Sequence, residues 1–251
     1  MAPARNLITE YFDTTGNGCG RHATAAACAT ELLATYVATS TGPLFDPRRD
    51  EPWWDPNVIS IADLFSVGAL AMPAFTTKRF TDAVLPFFTA DAAASDRCDA
   101  PTCTEHVHCL LRRVPADASI FDDDAAIHHD TMNDLWTLLR GSGRGANRVG
   151  GIDALLETNQ FGQAGLSKLL ARKRPKLVPI LDGVAVARVI RSAGPDACEW
   201  CTIRRECQSS INLRDRIATV RQHARAPHWM SDLRVIDVVV WATDVGGCAS
   251  R

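Results

Sequence analysis

Apolar residues recur along this chain mostly at the three- and four-residue spacing of amphipathic helices, and strand-like alternation is scarce. Residues 23–39 are an Ala-rich helical stretch. Further helices are predicted over 77–88, 135–140, 152–157, 166–171, Leu213–His223 and 232–241. The pattern therefore predicts an all-α fold.

Residues 60–72 predict another helix with a distinct start. Ser60 is a suitable N-cap because its hydroxyl can accept a hydrogen bond from the first turn. The predicted apolar face of this helix carries Ile61, Leu64, Phe65 and Leu70.

The segments between these helices are rich in turn-forming residues. They are a Pro- and Trp-containing loop over 42–57, an Ala-, Asp- and Cys-rich loop over 89–117 and a glycine-rich connection over 141–151. We expect residues 1–251 to form a single helical unit with two lobes. Residues 1–130 and 196–251 would flank a central part, 131–195.

Bulk composition is that of an ordinary globular protein, with 46% hydrophobic and 22% charged residues. The most apolar stretches are interrupted by Asp63 or Asp237 and are too short to span a bilayer. The first residues carry no apolar leader, so a cytoplasmic protein with no membrane partner is expected. In that compartment its nine cysteines are expected to be free thiols or metal ligands rather than a disulfide framework.

Positive charge is concentrated in one window, residues 166–191. The window contains seven cations and one anion, so it carries +6, and with a total of −2 the rest of the chain carries −8. A basic patch on an acidic body is typical of a surface that binds a polyanion. An ordinary solvated charged face is the alternative.

The same window follows a glycine turn between two predicted helices. Glycine permits close approach of the backbone to a ligand, and the free N–H groups of a helix start favour a phosphate. Lysine and arginine beside the turn would neutralise neighbouring phosphates without reading sequence. The predicted contacts to double-stranded DNA are Gln160, Gly162, Gly165, Ser167, Lys168, Arg172, Lys173, Arg174 and Lys176.

Asp182 stands where the chain returns to a helical pattern. Pro175 and Pro179 favour an extended apolar lead-in, and the sequence after Gly183 is helical again. An aspartate at the start of a helix is a candidate functional carboxylate, but it is also a common N-cap, and the sequence leaves both open.

Together these residues resemble the helix-hairpin-helix DNA glycosylase superfamily. Its hairpin, L-P-G-V-G, is followed about twenty residues later by an apolar-Val-Asp-x-x-Val-x-Arg-Val segment. Here Asp182 lies 20 residues after Gly162, and Asp182 to Val189 mirror that second half. The strings K-L-L-A-R-K-R-P and L-R-V-I-D-V-V-V-W also resemble an uncharacterised family common in actinobacteria.

The resemblance implies base excision by base flipping, with Asp182 activating water or stabilising the sugar cation as the base departs. The proline of the hairpin motif is absent, and two further positions depart from the motif. Gln160 replaces the first hairpin glycine, and Ala164 occupies the position of the Schiff-base lysine that bifunctional members carry. The implied enzyme is therefore a monofunctional hydrolase of the N-glycosidic bond.

Two tryptophans and several cysteines add weaker candidates. Trp53 and Trp54 could stack on an extruded base, although paired tryptophans in a loop more often close the edge of a core. Cys198, Cys201 and Cys207 match the last three ligands of the iron–sulfur loop of some superfamily members. A softer metal-like group comprises Cys98, Cys103, His106, His108 and Cys109. No cofactor is the main expectation, with an iron–sulfur cluster or zinc as the alternative.

Three hypotheses follow from these residues. The first is a monofunctional DNA glycosylase, acting as a monomer. The second is a non-catalytic helix-hairpin-helix protein that grips DNA. The third is a metal-stabilised scaffold whose basic helix meets a protein partner.

Overall fold

The computed structural model describes residues 7–15, 18, 21–39, 45, 54–69, 107–140, 163–183 and 199–245. These residues form helices and no strand, which confirms the all-α prediction for this part of the chain. The helices are α1 (Leu7–Glu10), α2 (Ala25–Thr39), α3 (Ile61–Ala69), α4 (Val107–Arg112), α5 (Ala125–Arg140), α6 (Gln163–Lys173), α7 (Glu199–Ser209), α8 (Leu213–His223) and α9 (Asp232–Val245). No helix in the described part is long and apolar enough to cross a bilayer.

Several helices lie where the sequence predicts them. The predicted bounds of α8 are those observed, α2 covers most of 23–39, and α9 continues past Trp241. Ser60 precedes α3 as predicted, with its N–H and hydroxyl 2.8 and 2.9 Å from Oδ2 of Asp63. The carboxylate of the third helical residue therefore caps this helix start.

The predicted apolar face of α3 is wrong in part. Leu64 and Val67 are buried, but Ile61 and Phe65 are 42% and 47% exposed. The reason is Asp63, which is 1% exposed because it meets buried cations inside the protein. Turning Asp63 inward rotates Ile61 and Phe65 toward solvent.

Other differences between the predicted and the observed helices lie in segments whose local composition gave no clear helical signal. Residues 107–112, placed in a predicted loop, form α4, and all but Arg112 of its residues are buried. Helix α5 begins ten residues before the predicted Leu135, and α7 was missed. The predicted helices 77–88 and 152–157 and the connection 141–151 lie outside the described residues.

The helices pack around two hydrophobic cores. The first includes Leu64, Leu110, Leu135 and Leu170, from α3 to α6. The second joins α1, α2, α7, α8 and α9. The segment that leads to Asp182 lies between them, since Ile180 belongs to the first core and Leu181 to the second. The division into lobes stays a prediction.

A buried ionic network fixes α6 against α3. Asp63 accepts from Arg172 Nε at 2.8 Å and from Lys173 Nζ at 2.6 Å. Lys173 also donates to the Asp55 carbonyl at 2.9 Å, and Arg172 donates to the carbonyl of Phe45. Burial lowers the pKa of Lys173, while the charge of Asp63 acts in the opposite direction.

Arg174 connects the end of α6 with two segments, one around Asn57 and one that includes the end of α4. Its guanidinium donates to the carbonyls of Val114 (2.9 Å), Pro56 (2.6 Å) and Leu111, and to Oδ1 of Asn57 (2.9 Å). The side chain is fully buried, and burial lowers its pKa to about 10, so it remains a cation at neutral pH. A planar guanidinium with five donors is suited to such a set of divergent acceptors.

This network corrects the DNA-binding prediction. Arg172, Lys173 and Arg174 have 2% or less exposure, and their donors are used inside the protein. Phosphate cannot reach buried donors, so the prediction that these three residues contact DNA is wrong for this structure. The alternative, a solvated charged face, does not apply to Arg172, Lys173 and Arg174 either, because their side chains are buried.

We expect Asp63→Asn to lower the free energy of unfolding by about 3–5 kcal/mol, because it leaves two buried cations without a countercharge. The free energy would be measured by urea unfolding monitored by circular dichroism. Asp117→Asn, at an exposed aspartate, is the matched control and should change it by less than about 0.5 kcal/mol. Equal stability of the two variants would contradict the role assigned to Asp63.

Candidate functional site around Asp182

Asp182 is held at the point where the chain leaves the interior. The Leu181 N–H donates to Ser167 Oγ at 2.9 Å, and that hydroxyl donates to the Ala164 carbonyl at 3.0 Å. The following Gly183 is exposed and helical, and no described atom lies within 4 Å of the position that a Cβ would occupy there. Asp182 itself is half-buried, and the hydrogen bond of the Leu181 N–H holds the backbone just before it.

Ser167 thus has a different role from the predicted one. It is fully buried and joins α6 to the segment before Asp182, so it does not contact DNA. Gly165 also differs, because it is a buried residue inside the first turn of α6 rather than part of the glycine turn. Gln160 and Gly162 lie outside the described residues.

Lys168 lies in the electrostatic field of two carboxylates. Burial is the largest influence on this half-buried residue and lowers its pKa, whereas the charges of Asp237 and Asp182 raise it. The positive charge of Arg234 lowers it further. Lys168 on α6 is therefore near Asp182 and near α9, and its predicted contact with phosphate stays a prediction.

The α9 side of this arrangement is an ion pair. Arg234 donates to Oδ2 of Asp237 and to the hydroxyl of Tyr36, and it is 6% exposed. Its guanidinium lies 5.5 Å from the Tyr36 ring centroid and 5.2 Å from that of Phe45. We call Lys168, Asp182, Arg234 and Asp237 the Asp182 cluster; it holds two positive and two negative charges.

Two shallow depressions lie on either side of Asp237. Pro175, Val178 and Ser231 line one of them, Pro179, Ile203 and Val240 line the other, and Ile180 and Leu233 contribute to both. Each has space for about one water molecule. A nucleobase does not fit into either depression in this conformation.

The remaining predicted DNA contact, Lys176, is exposed. Its carbonyl accepts from the Ile120 N–H at 2.9 Å, which fixes the backbone and leaves the side chain in solvent. Among the described cations that were predicted to contact DNA, solvent therefore reaches Lys176 and the half-buried Lys168.

Trp54 packs over the buried ionic network. Its ring centroid lies 5.9 Å from Nζ of Lys173, and the residue is half-buried. The sequence left two roles open for this tryptophan. The contact with Lys173 agrees with a role at the edge of a core, and stacking on a base stays a prediction. Trp53 lies outside the described residues.

Two of the four described cysteines differ from the expected thiols. Cys109 and Cys201 are disulfide-bonded, whereas Cys28 and Cys207 are buried thiols that take part in no disulfide. Burial raises the pKa of Cys207, so its thiolate is strongly disfavoured. His108 accepts the Ile59 N–H at 3.1 Å through Nε2.

The described residues include no group of three or more side chains placed to hold a metal ion. The suggested ligands Cys201 and Cys207 are thus not part of such a group in this part of the chain. Cys198, Cys98, Cys103 and His106 lie outside the described residues.

Comparison with known proteins gives one family match. The sequence model of a family of unknown function, DUF6308, matches residues 101–244, which is more than half of the 251 residues. No curated protein and no solved structure matches the chain. The matched segment contains the whole Asp182 cluster, and the chain belongs to this family of unknown function.

Proposed function

We propose that this protein is a monofunctional DNA N-glycosylase in which Asp182 is the catalytic carboxylate. The observation that carries the proposal is the placement of Asp182: half-buried, beside open space at Gly183, and tied through Leu181 to the helix that carries Lys168. The spacing between the hairpin and Asp182 resembles that of helix-hairpin-helix glycosylases, and this resemblance indicates hydrolysis of the N-glycosidic bond as the reaction.

In this reaction water replaces the base at the sugar. The bond between the anomeric carbon and the base nitrogen breaks, and the base takes the electron pair. Water forms the new bond to that carbon, and the proton that the water loses ends on the released base. A carboxylate such as Asp182 can polarise the water or stabilise the positive charge that develops on the sugar. Lys168 lies close enough to Asp182 for the two charges to interact, and it places a cation beside the proposed catalytic carboxylate.

The second candidate is a DNA-binding protein without catalysis. The observation that favours it is the size of the two depressions beside Asp237, each of which has space for about one water molecule and not for a base. Base-flipping enzymes enclose the extruded base in a fitted pocket. The formation of abasic sites in damaged or modified duplex DNA separates the two candidates.

Asp182→Asn should lower the rate of abasic-site formation by roughly two to four orders of magnitude, the range for a positioned acid–base or electrostatic group. Asparagine caps helices about as well as aspartate, so stability should hardly change if Asp182 is a cap. Asp117→Asn is the control for loss of an exposed negative charge. Full activity in a folded Asp182→Asn protein would refute the catalytic role.

Borohydride treatment during turnover should yield no covalent protein–DNA adduct, and strand cleavage should require alkali. The reason is that Ala164 stands where the resemblance places the Schiff-base lysine. The measurement is a denaturing gel of labelled DNA. An adduct that is lost in Lys168→Ala would contradict monofunctional chemistry and identify that lysine.

We expect a DNA phosphate to contact Lys176 rather than the buried residues Arg172, Lys173 and Arg174. Lys176→Ala should weaken duplex binding for all sequences alike and reduce the log–log salt slope by about one. Fluorescence anisotropy over a salt series measures this slope, and Lys176→Arg should retain it because the charge is kept. A salt slope unaltered by Lys176→Ala would exclude this contact.

A further inference from the structure

One side of α8 carries arginines at helical spacing. Arg214, Arg221 and Arg225 are seven and four residues apart, which places their Cα atoms on one side of the helix. We call these three residues the α8 arginine stripe. At a rise of about 1.5 Å per residue the stripe is about 16 Å long. Asp215, the acidic residue of α8, lies about 100° away around the helix axis.

The stripe adjoins the exposed Lys176. Arg214 donates to Ser119 Oγ at 3.4 Å, and the next residue, Ile120, donates its N–H to the Lys176 carbonyl at 2.9 Å. The connection from α8 to α9 meets the same segment, because Ser231 Oγ donates to the carbonyl of the residue before Lys176 at 2.6 Å. Lys176 is therefore held beside the stripe by two independent contacts.

Two carboxylates lie beside these cations. Asp232 pairs with Arg221 and lies 3.7 Å from Arg214, and Asp122 lies 3.6 Å from Arg214. The Arg214 side chain is 55% exposed, and exposed ion pairs are weak and screened by salt, so a phosphate can replace a carboxylate at this arginine. The three arginines and Lys176 face these two carboxylates, which leaves a net charge of +2 on this described surface.

Arg225 has a backbone conformation that favours glycine. Its φ is 53°, in the left-handed region. Its N–H donates to the Gln222 carbonyl and the N–H of Ala226 donates to the Arg221 carbonyl, both at 3.1 Å. These two bonds form a Schellman motif, in which glycine is the usual left-handed residue because a Cβ is strained there. The Arg225 side chain is exposed and has no hydrogen bond or ion pair with a described residue. A strained residue whose side chain does not support the fold points to a function for that side chain.

From these observations we propose that the α8 arginine stripe and Lys176 form a surface that binds the backbone phosphates of duplex DNA. The choice of DNA as the polyanion rests on the proposed function, and the surface lies outside the predicted hairpin. Each strand of a duplex carries one phosphate per about 3.4 Å of its axis, so a stripe of about 16 Å spans about four to five phosphates. The arginine guanidinium is planar and matches the geometry of a phosphate, and such contacts do not read sequence.

The surface lies within reach of the Asp182 cluster. Lys176 is six residues before Asp182, so their Cα atoms are at most about 22 Å apart. Asp232, beside the stripe, and Asp237, in the cluster, are five residues apart on α9, which is about 7.5 Å along its axis. One turn of a duplex is about 34 Å long, so a single duplex can contact the stripe and Asp182 at the same time.

The test measures binding of the full chain to a short fluorescent duplex by anisotropy over a salt series. Arg225→Gln should weaken binding several-fold for all sequences alike and reduce the log–log salt slope by about one, because one phosphate contact is lost. Arg225→Lys keeps the charge and should retain the slope. Arg205→Gln removes an exposed arginine from α7 and is the matched control, which should change neither quantity.

Arg225→Gly separates binding from folding. Glycine adopts the left-handed conformation without strain, so the Tm of this variant, measured by circular dichroism, should equal or exceed that of the wild type. Its affinity for the duplex should fall as much as that of Arg225→Gln. A lower Tm together with unchanged DNA binding would show that the arginine is structural and would overturn its place in the surface.

Further outcomes decide between this surface and the proposed function. Equal salt slopes for the wild type and Arg225→Gln, or an equal loss in Arg205→Gln, would overturn the surface and leave the proposed function standing. Tighter binding of single-stranded RNA, lost in the same Arg225 variants, would assign the surface to RNA and overturn the duplex partner. A wild type that does not bind duplex DNA at low salt would overturn both proposals. Loss of binding in Arg225→Gln, with no abasic sites formed by the wild type, would support the surface and refute only the glycosylase.

Discussion

Burying three consecutive cations is the constraint on which this structure depends. Arg172 and Lys173 end α6 and Arg174 follows it, all three inside the protein. There the loss of hydration would cost several kcal/mol per ion without compensation. Asp63 supplies the countercharge, and backbone carbonyls supply most of the remaining acceptors. Because these acceptors come from several segments, the position of α6 is fixed with respect to all of them at once.

The candidate site inherits its geometry from that arrangement. With α6 fixed by its last residues, Ser167 is placed to accept the Leu181 N–H, and Lys168 is placed near Asp182 and Asp237. The segment before Asp182 is further held between the two cores. A substitution in the ionic network would therefore disturb the Asp182 cluster from a distance, even though the two share no side chain.

The family match has a consequence for how the chain is divided. The matched residues, 101–244, contain the three buried cations and the whole Asp182 cluster. The carboxylate of Asp63, the carbonyls of Phe45, Asp55 and Pro56, and the Asn57 side chain lie before residue 101. In this protein the matched segment thus depends on the preceding hundred residues to satisfy its most deeply buried charges.

Sequence by itself determined the helices whose signals are local. The Ala-rich α2, the start of α3 at Ser60 and the bounds of α8 follow from spacing and capping within a few residues. Asp182 was likewise found from its neighbours in the chain, as the residue between a proline-rich lead-in and a helical pattern.

Only the tertiary structure decided where the basic residues point. A run of lysine and arginine predicts a solvated or phosphate-binding surface, because burial of charge is costly in the absence of partners. The partner of Arg172 lies 109 residues away in the sequence, and no local pattern marks Asp63 as buried. The same holds for α4 and for the contact between Arg214 and Ser119, which are 95 residues apart, because contacts between distant segments become visible only when the chain is packed.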